Sequence, residues 1–294
     1  MYASINGTEI FFDIEGGGLR EIDGRLYEHP TIFVLHGGLG FDHGYLRDGL
    51  SRLSDIAQIV YVDLRGQGRS GRPPLATSTL EAMADDVAEL IRYLGVRKPY
   101  LFGHSAGGFV AMLLALRNPG LIGGLILSGT SPTVAPVRDE SGEPAPSLAD
   151  RASPDALAAA AKVFSGEITM DTVATFFDKV GPYYAGPDHP ELTARLMRPT
   201  TQNVDMMRHF MTKLAPTYDL MERLSEIAPP VLVLVGAYDW VCPPRAGRAI
   251  ANGVQHGKLV EFQHSGHFVF SEEPSKFRSE IEDFFASSTA PGWY

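Results

Sequence analysis

Residues 100–120, YLFGHSAGGFVAMLLALRNPG, run from one apolar segment through a glycine-flanked His-Ser pair into a second, longer apolar segment. The first segment, ending at Phe102, has the length and composition of a buried strand. From Ala106 to about Leu116 the pattern is that of a buried helix, and Asn118-Pro119-Gly120 is a strong stop signal. Between them, Gly103-His104-Ser105-Ala106-Gly107 satisfies the G-x-S-x-G pattern. In that pattern a tight strand-to-helix turn lifts a serine hydroxyl above the strand ends, and small neighbours leave it open to attack a ligand. One glycine-rich turn does not establish chemistry, so the rest of the chain has to supply the serine with partners.

Working outward, short apolar runs at 31–36, 58–64, 99–103, 124–128, 230–236 and 257–262 read as strands buried on both faces. Amphipathic stretches alternate with them. The clearest, STLEAMADDVAELIRYLG at 78–95, predicts a helix with Ser78 as N-cap, Glu81 at capping-box spacing and Gly95 as its stop. Strand and helix in alternation predict an α/β fold with a doubly wound, mostly parallel sheet. The alternation breaks after about Ser131 and resumes at about Pro229. The intervening chain has helical patches at 155–164, 170–180 and 203–214 and no convincing strand. The expected organisation is therefore a core of residues 1–130 and 226–294 with a helical cap inserted at 131–225. The end, ASSTAPGWY (286–294), reads as a loosely held terminus.

Composition narrows the partners. With 294 residues, 44% of them hydrophobic, the chain can bury a large core, and it has no uninterrupted apolar run of membrane-spanning length. Its formal charge of −10 and lack of a Lys/Arg cluster argue against nucleic acid or an anionic membrane, and favour a small neutral substrate. The first residues show neither the basic nor the apolar region of a secretory signal, and the single cysteine, Cys242, excludes an intramolecular disulfide. A cytoplasmic protein is expected.

A serine hydroxyl is a poor nucleophile near neutral pH. It needs an imidazole to accept its proton and a carboxylate to orient that imidazole. On a sheet of this kind the order along the chain should be Ser, acid, His. The strand in VLVLVGAYDW leads to Asp239, whereas the earlier strand, ending LILSGT, offers no carboxylate. After the last strand, LVEFQHSGHFVF offers His264 and His267. His267, in the looser turn further past the strand, is the expected base. Two backbone N–H groups should receive the negative charge that develops on a substrate oxygen. One is expected from Ala106 and the other from Gly38 in HGGLG (36–40), where glycine lets main chain approach the ligand. Cys242 reads as a small buried hydrophobe rather than a second nucleophile. The histidines lack zinc-ligand spacing, so no metal is expected. DLRGQGRS (63–70), which has no phosphate-loop lysine, reads as a tight structural turn.

Together HGGLG, DLRGQGRS, GHSAGG, GAYDWVCPP and SGHFVFSEEP, in this order, resemble the α/β-hydrolase superfamily over nearly the whole chain, nearest its proline iminopeptidase-like branch. The resemblance implies the α/β-hydrolase fold, a helical cap, a Ser105–His267–Asp239 triad and no cofactor. The chain departs from that branch at Leu39, where members tend to have proline, and at GHSAGG, where they tend to have a GGSWGS-like turn. Peptidases of the branch use glutamates to hold a free amino terminus. Here Trp240 follows the acid, and the matching helix of the cap offers Asp205 and no glutamate. Leu39, His104, Trp240, Phe177, Tyr184, Met207 and Phe210 are the candidate substrate contacts. The expected activity is hydrolysis of a small ester or lactone through an acyl-enzyme. An aminopeptidase is the first alternative, and a slow or silent ligand receptor on the same fold is the second.

Overall fold

The computed structural model describes residues 1–138, 142 and 144–288. The strands are β1 (Tyr2–Ile5), β2 (Thr8–Glu15), β3 (Leu19–Ile22), β4 (Arg25–Glu28), β5 (Thr31–Leu35), β6 (Gln58–Val62), β7 (Tyr100–His104), β8 (Gly124–Ser128), β9 (Val231–Gly236) and β10 (Gly257–Phe262). Eight of them form one sheet in the order β1-β2-β6-β5-β7-β8-β9-β10. The β1–β2 and β2–β6 pairs are antiparallel, and every pair from β6 to β10 is parallel.

The apolar runs form strands because both faces of the sheet are covered. In β9, Val231, Val233 and Val235 enter the core on one face while Leu232 and Leu234 enter the core on the other, and β5 divides Phe33 and Leu35 from Ile32 and Val34 in the same way. Each such aliphatic side chain contributes about 1.5–3 kcal/mol when fully buried. Helices Leu80–Tyr93 and Ala106–Arg117 pack on the first face, and helix Pro274–Ser288 packs on the second.

One local expectation needs correction. The cap of the helix at 80–93 is Thr79, whose side chain accepts from the Ala82 N–H; Ser78 instead closes the 3-10 turn Leu75–Thr77. Thr79 has the extended backbone that an N-cap requires, and Ser78, at φ −94 and ψ 66, does not. The hairpin β1–β2 was not foreseen, although its signal is present. Asn6-Gly7 takes positive φ at both positions (46 and 78), and Ala3, Ile5, Ile10 and Phe12 alternate into the core. Between β8 and β9 the described residues form helices, chiefly Pro154–Phe164, Met170–Lys179, Leu192–Met197 and Val204–His209, the last continued by a π-helical turn at Phe210–Leu214. Of the expected loose terminus, residues 289–294 lie outside the described residues.

The DLRGQGRS segment is a tight turn after β6, with Gly66 N–H donating to Gly71 O and Ser70 N–H to Gln67 O. Asp63 and Arg65 are paired, and the Arg69 guanidinium lies over the Phe11 ring. The Arg65 guanidinium holds Asp86 on helix Leu80–Tyr93 through two nitrogens, and buried Asp63 accepts from His43 Nδ1 at 2.6 Å and from the Arg69 N–H at 2.9 Å. Burial pushes the Asp63 pKa up, but the hydrogen bond and charge of His43, the charge of His36 and the Arg69 amide together outweigh it, so the carboxyl lies below its ordinary value. With a folded pKa below the unfolded one, the contribution of Asp63 is present above the unfolded value of about 3.9 and is lost as pH falls through the folded value. Asp63→Asn should cost about 3–5 kcal/mol, the scale for breaking a buried pair. In a domain of this size that corresponds to roughly 5–10 °C in thermal midpoint. Melting curves from pH 3 to 7 should also show a weaker acid-side loss in the variant.

Candidate active site

All the residues that matter stand at the carboxyl ends of the parallel strands, where ligands meet open α/β sheets. Ser105 follows β7 directly and precedes helix Ala106–Arg117, with φ 53 and ψ −126, a conformation that costs a non-glycine residue about 1–3 kcal/mol. The surroundings over-determine it: Ser105 N–H donates to Ser128 O on β8, and Ser105 O accepts from Thr130 Oγ1 at 2.8 Å and from the Gly108 N–H at 2.8 Å. Close packing of helix on strand forbids side chains beside it. A Cβ on Gly103 would lie 2.7 Å from Gly108 Cα, and one on Gly107 would lie 2.2 Å from Leu35 O.

Asp239, in the turn after β9, is fully buried. Its Oδ1 accepts from the N–H groups of Val241 and Cys242, each at 2.9 Å, and its Oδ2 lies 2.7 Å from His267 Nδ1. A carboxylate can only accept, so this contact puts the imidazole proton on Nδ1 and leaves Nε2 as the basic nitrogen. His264, by contrast, is exposed at the surface. Gly129, at the end of β8, makes the pair possible. It sits at φ 51, and a Cβ there would fall 3.1 Å from His267 Nδ1 and 3.2 Å from Asp239 Oδ2.

The main chain around His267 is fixed from several sides. Its N–H donates to Tyr184 O, and the N–H groups of its neighbours Gly266 and Phe268 donate to buried Glu272. Its carbonyl accepts from His104 Nε2 at 2.9 Å. That assigns the His104 proton to Nε2 and makes Nδ1 the acceptor of the Tyr45 hydroxyl at 2.8 Å, while Tyr45 O in turn accepts from the Gly37 N–H at 2.7 Å. Burial first, and then the charge of His267, hold the His104 pKa well below the usual histidine range, so this relay runs through a neutral ring.

Ser105, His267, Gly38 and Ala106 all line one cavity of about 700 Å³. In the loop after β5 the Gly37 N–H is engaged by the Tyr45 hydroxyl and the Gly40 N–H by Gln67, and Gly38 borders the cavity. A Cβ there would meet Phe41 at 2.5 Å. The far walls come from the inserted helices and the turn after β9, with Phe177, Tyr184, Phe210, Met211 and Trp240 among them. Among the described residues no carboxylate side chain lines the cavity.

The sequence description of the alpha/beta hydrolase fold matches residues 30–274. The chain belongs to this family. RutD of Agrobacterium fabrum, named a carbamate hydrolase, is 28% identical over 267 residues, covering 90% of this chain and 96% of its own. Proline iminopeptidase PfmaB of Pestalotiopsis fici is 27% identical over 300 residues, covering 96% of this chain and 99% of its own. The enol-lactonase structure from Burkholderia xenovorans is similar with a TM-score of 0.72 at 24% identity, over 97% of this chain and 100% of that one. The protein is a hydrolase of this fold.

Two candidate contacts, Leu39 and Met207, need revision in this hydrolase. Leu39 is 1% exposed and packs in the core rather than on the cavity. Met207 packs against the Gly40 main chain, and Met211, one helical turn on, lines the cavity in its place. His104 borders the cavity, but both of its ring nitrogens are engaged by protein. Asp205 is 72% exposed and pairs with Arg208. Cys242 is buried, and burial followed by the charge of Asp239 pushes its thiol pKa well up, which keeps it a thiol. Among the described residues no three His, Cys, Asp or Glu side chains could hold a metal ion, and no helix is long and apolar enough to cross a membrane.

Sequence reasoning missed Tyr45, Gln67 and Glu272. Gln67 Oε1 accepts from the Gly40 N–H at 2.6 Å and holds the HGGLG loop, a role that no local spacing signals. Glu272 had a visible trace in the Glu272-Glu273 pair just after His267, where Glu273 accepts from the His264 N–H and the Ser265 hydroxyl.

Gly129→Ala should cost about 1–2 kcal/mol for its left-handed backbone alone. It should also push the imidazole away from Asp239, which would appear in proton NMR as loss or upfield movement of the low-field His267 Nδ1–H resonance. Cys242 should resist alkylation by iodoacetamide at neutral pH in the folded hydrolase and react once it is unfolded, as mass spectrometry would record.

Proposed function

We propose that the protein is a serine hydrolase that cleaves small carboxylic esters or lactones through an acyl-enzyme. One observation carries this reading: a largely apolar cavity onto which both Ser105 and His267 open, with the His267 ring oriented by buried Asp239. In the proposed sequence His267 Nε2 takes the Ser105 proton as Oγ bonds to the substrate carbonyl carbon. The N–H groups of Gly38 and Ala106 hold the resulting oxyanion, the latter at the positive end of its helix. Collapse expels the alcohol, which takes the proton from His267. Water then attacks the acyl-enzyme, giving a proton to His267, and as the acyl–oxygen bond breaks His267 returns that proton to Ser105 Oγ and the acid is released. With a lactone the alcohol stays attached to the acyl chain, so the product is a hydroxy acid.

The aminopeptidase alternative is supported by the similarity to a proline iminopeptidase and opposed by the cavity. A buried ammonium needs carboxylate partners. The described lining offers none, and Asp205 is exposed in a pair of its own.

p-Nitrophenyl butyrate should therefore be turned over with much higher kcat/KM than prolyl or alanyl p-nitroanilide; the reverse order would establish the aminopeptidase. Ser105→Ala should abolish both turnover and fluorophosphonate labelling with circular dichroism unchanged. His267→Ala should be comparably damaging, and combining the two should add little, because such groups act as a unit. Asp239→Asn should lower kcat by up to about four orders of magnitude through the wrong imidazole tautomer, and a loss below tenfold would transfer the orienting role to another group.

A further inference from the structure

The cavity wall contains one charged side chain among the described residues: Arg245, six residues beyond Asp239 and in the first turn of helix Pro244–Gly253. Its position is electrostatically unfavourable in three respects. A cation in the first turn of a helix opposes the helix dipole. No carboxylate pairs with Arg245 among the described residues, whereas Arg248, three residues further on the same helix, pairs with Glu261 at 2.5 Å. Its guanidinium is also incompletely bonded. Nη1 donates to Val137 O at 3.3 Å, while Nε is shielded from solvent with no acceptor among the described residues. A buried donor without an acceptor is a cost that folded proteins rarely leave standing.

We propose that Arg245 receives the carboxylate of an acidic substrate, so that the hydrolase acts on esters or lactones whose acyl chain ends in a second, ionised carboxyl group. The proposal rests on the ester reading of Ser105 and departs from the neutral substrate that overall charge suggests. The Val137 carbonyl accepts from Nη1 and Nε is enclosed by protein, which leaves Nη2 as the guanidinium nitrogen to meet a carboxylate by a charge-assisted hydrogen bond. Most of the remaining lining of the cavity that Arg245 shares with Ser105 is apolar and suits methylene groups, and a carboxylate would meet no like charge on the described lining. The same features place the recognised charge at the end of the acyl chain opposite to an amino terminus in sign.

The test compares mono-p-nitrophenyl adipate with p-nitrophenyl hexanoate, matched in chain length and differing in the terminal carboxylate. In wild type, kcat/KM for the acidic ester should equal or exceed that for the neutral one. In Arg245→Gln the ratio of acidic to neutral should fall by about tenfold or more, the scale of a charge-assisted hydrogen bond. Arg245→Lys, which keeps the charge and loses the guanidinium, should recover part of it, and it carries the comparison if the glutamine variant fails to fold. An unchanged ratio in the variants, or a wild type that rejects the acidic ester, overturns the proposal. If wild type hydrolyses neither ester, the reading of Ser105 fails on its own. Arg245 is then judged by calorimetric binding of adipate, which should weaken about tenfold or more in Arg245→Gln; equal binding by the two proteins, or no binding by wild type, overturns it.

Discussion

The hydrogen bond between Asp239 and His267 sets the terms for everything around it. A carboxylate removed from water has to find donors inside the protein, and Asp239 finds three: the imidazole and two consecutive amides of its own turn. To supply the imidazole, the turn after β10 must come to the turn after β9 at a fixed height above the sheet. Fixing it engages side chains from distant parts of the chain. Glu272 holds the main chain on either side of His267, and His104 holds its carbonyl. Gly129 keeps the intervening strand end clear of both partners.

Ser105 meets the same geometry from the other side. Its turn is strained because strand and helix must reverse within one residue, and the strain persists because β5 and β8 grip the turn through backbone contacts that small residues permit. The glycines on either side of the serine thus let the helix lie on the sheet closely enough to bring its N-terminus to the cavity.

How much of this was legible in the sequence followed the range of the interaction. The strands of the parallel sheet, the elbow at Ser105, and the turns carrying Asp239 and His267 are written in a few consecutive residues, because burial on both faces demands unbroken apolar runs and the turns demand glycine. Leu39 and Met207 were misjudged because proximity in sequence to Gly38 and to the cap's apolar stripe says nothing about which way a side chain points. Ser78 and Thr79 are both acceptable caps by type, and backbone geometry alone separates them. Tyr45 and Gln67 act through contacts that span 59 and 27 residues of chain, and no short window of sequence contains both ends; Glu272 holds amides only six and four residues away, and it was missed because the adjacent pair of glutamates does not show which of the two is buried.

The bond from the His267 amide to the carbonyl of Tyr184 joins the inserted helices to the turn that carries the imidazole. The insertion makes other such attachments, from Trp240 Nε1 to Tyr183 O and from Asn203 to the carbonyls of Gly40 and Gly66. It is therefore not an interchangeable module laid over a finished core. Replacing it with an unrelated segment would remove structural support from the core as well as walls from the cavity. Divergence in one part has to be matched in the other, so new specificities in this lineage are more readily reached by exchanging single wall residues than by swapping the whole insertion.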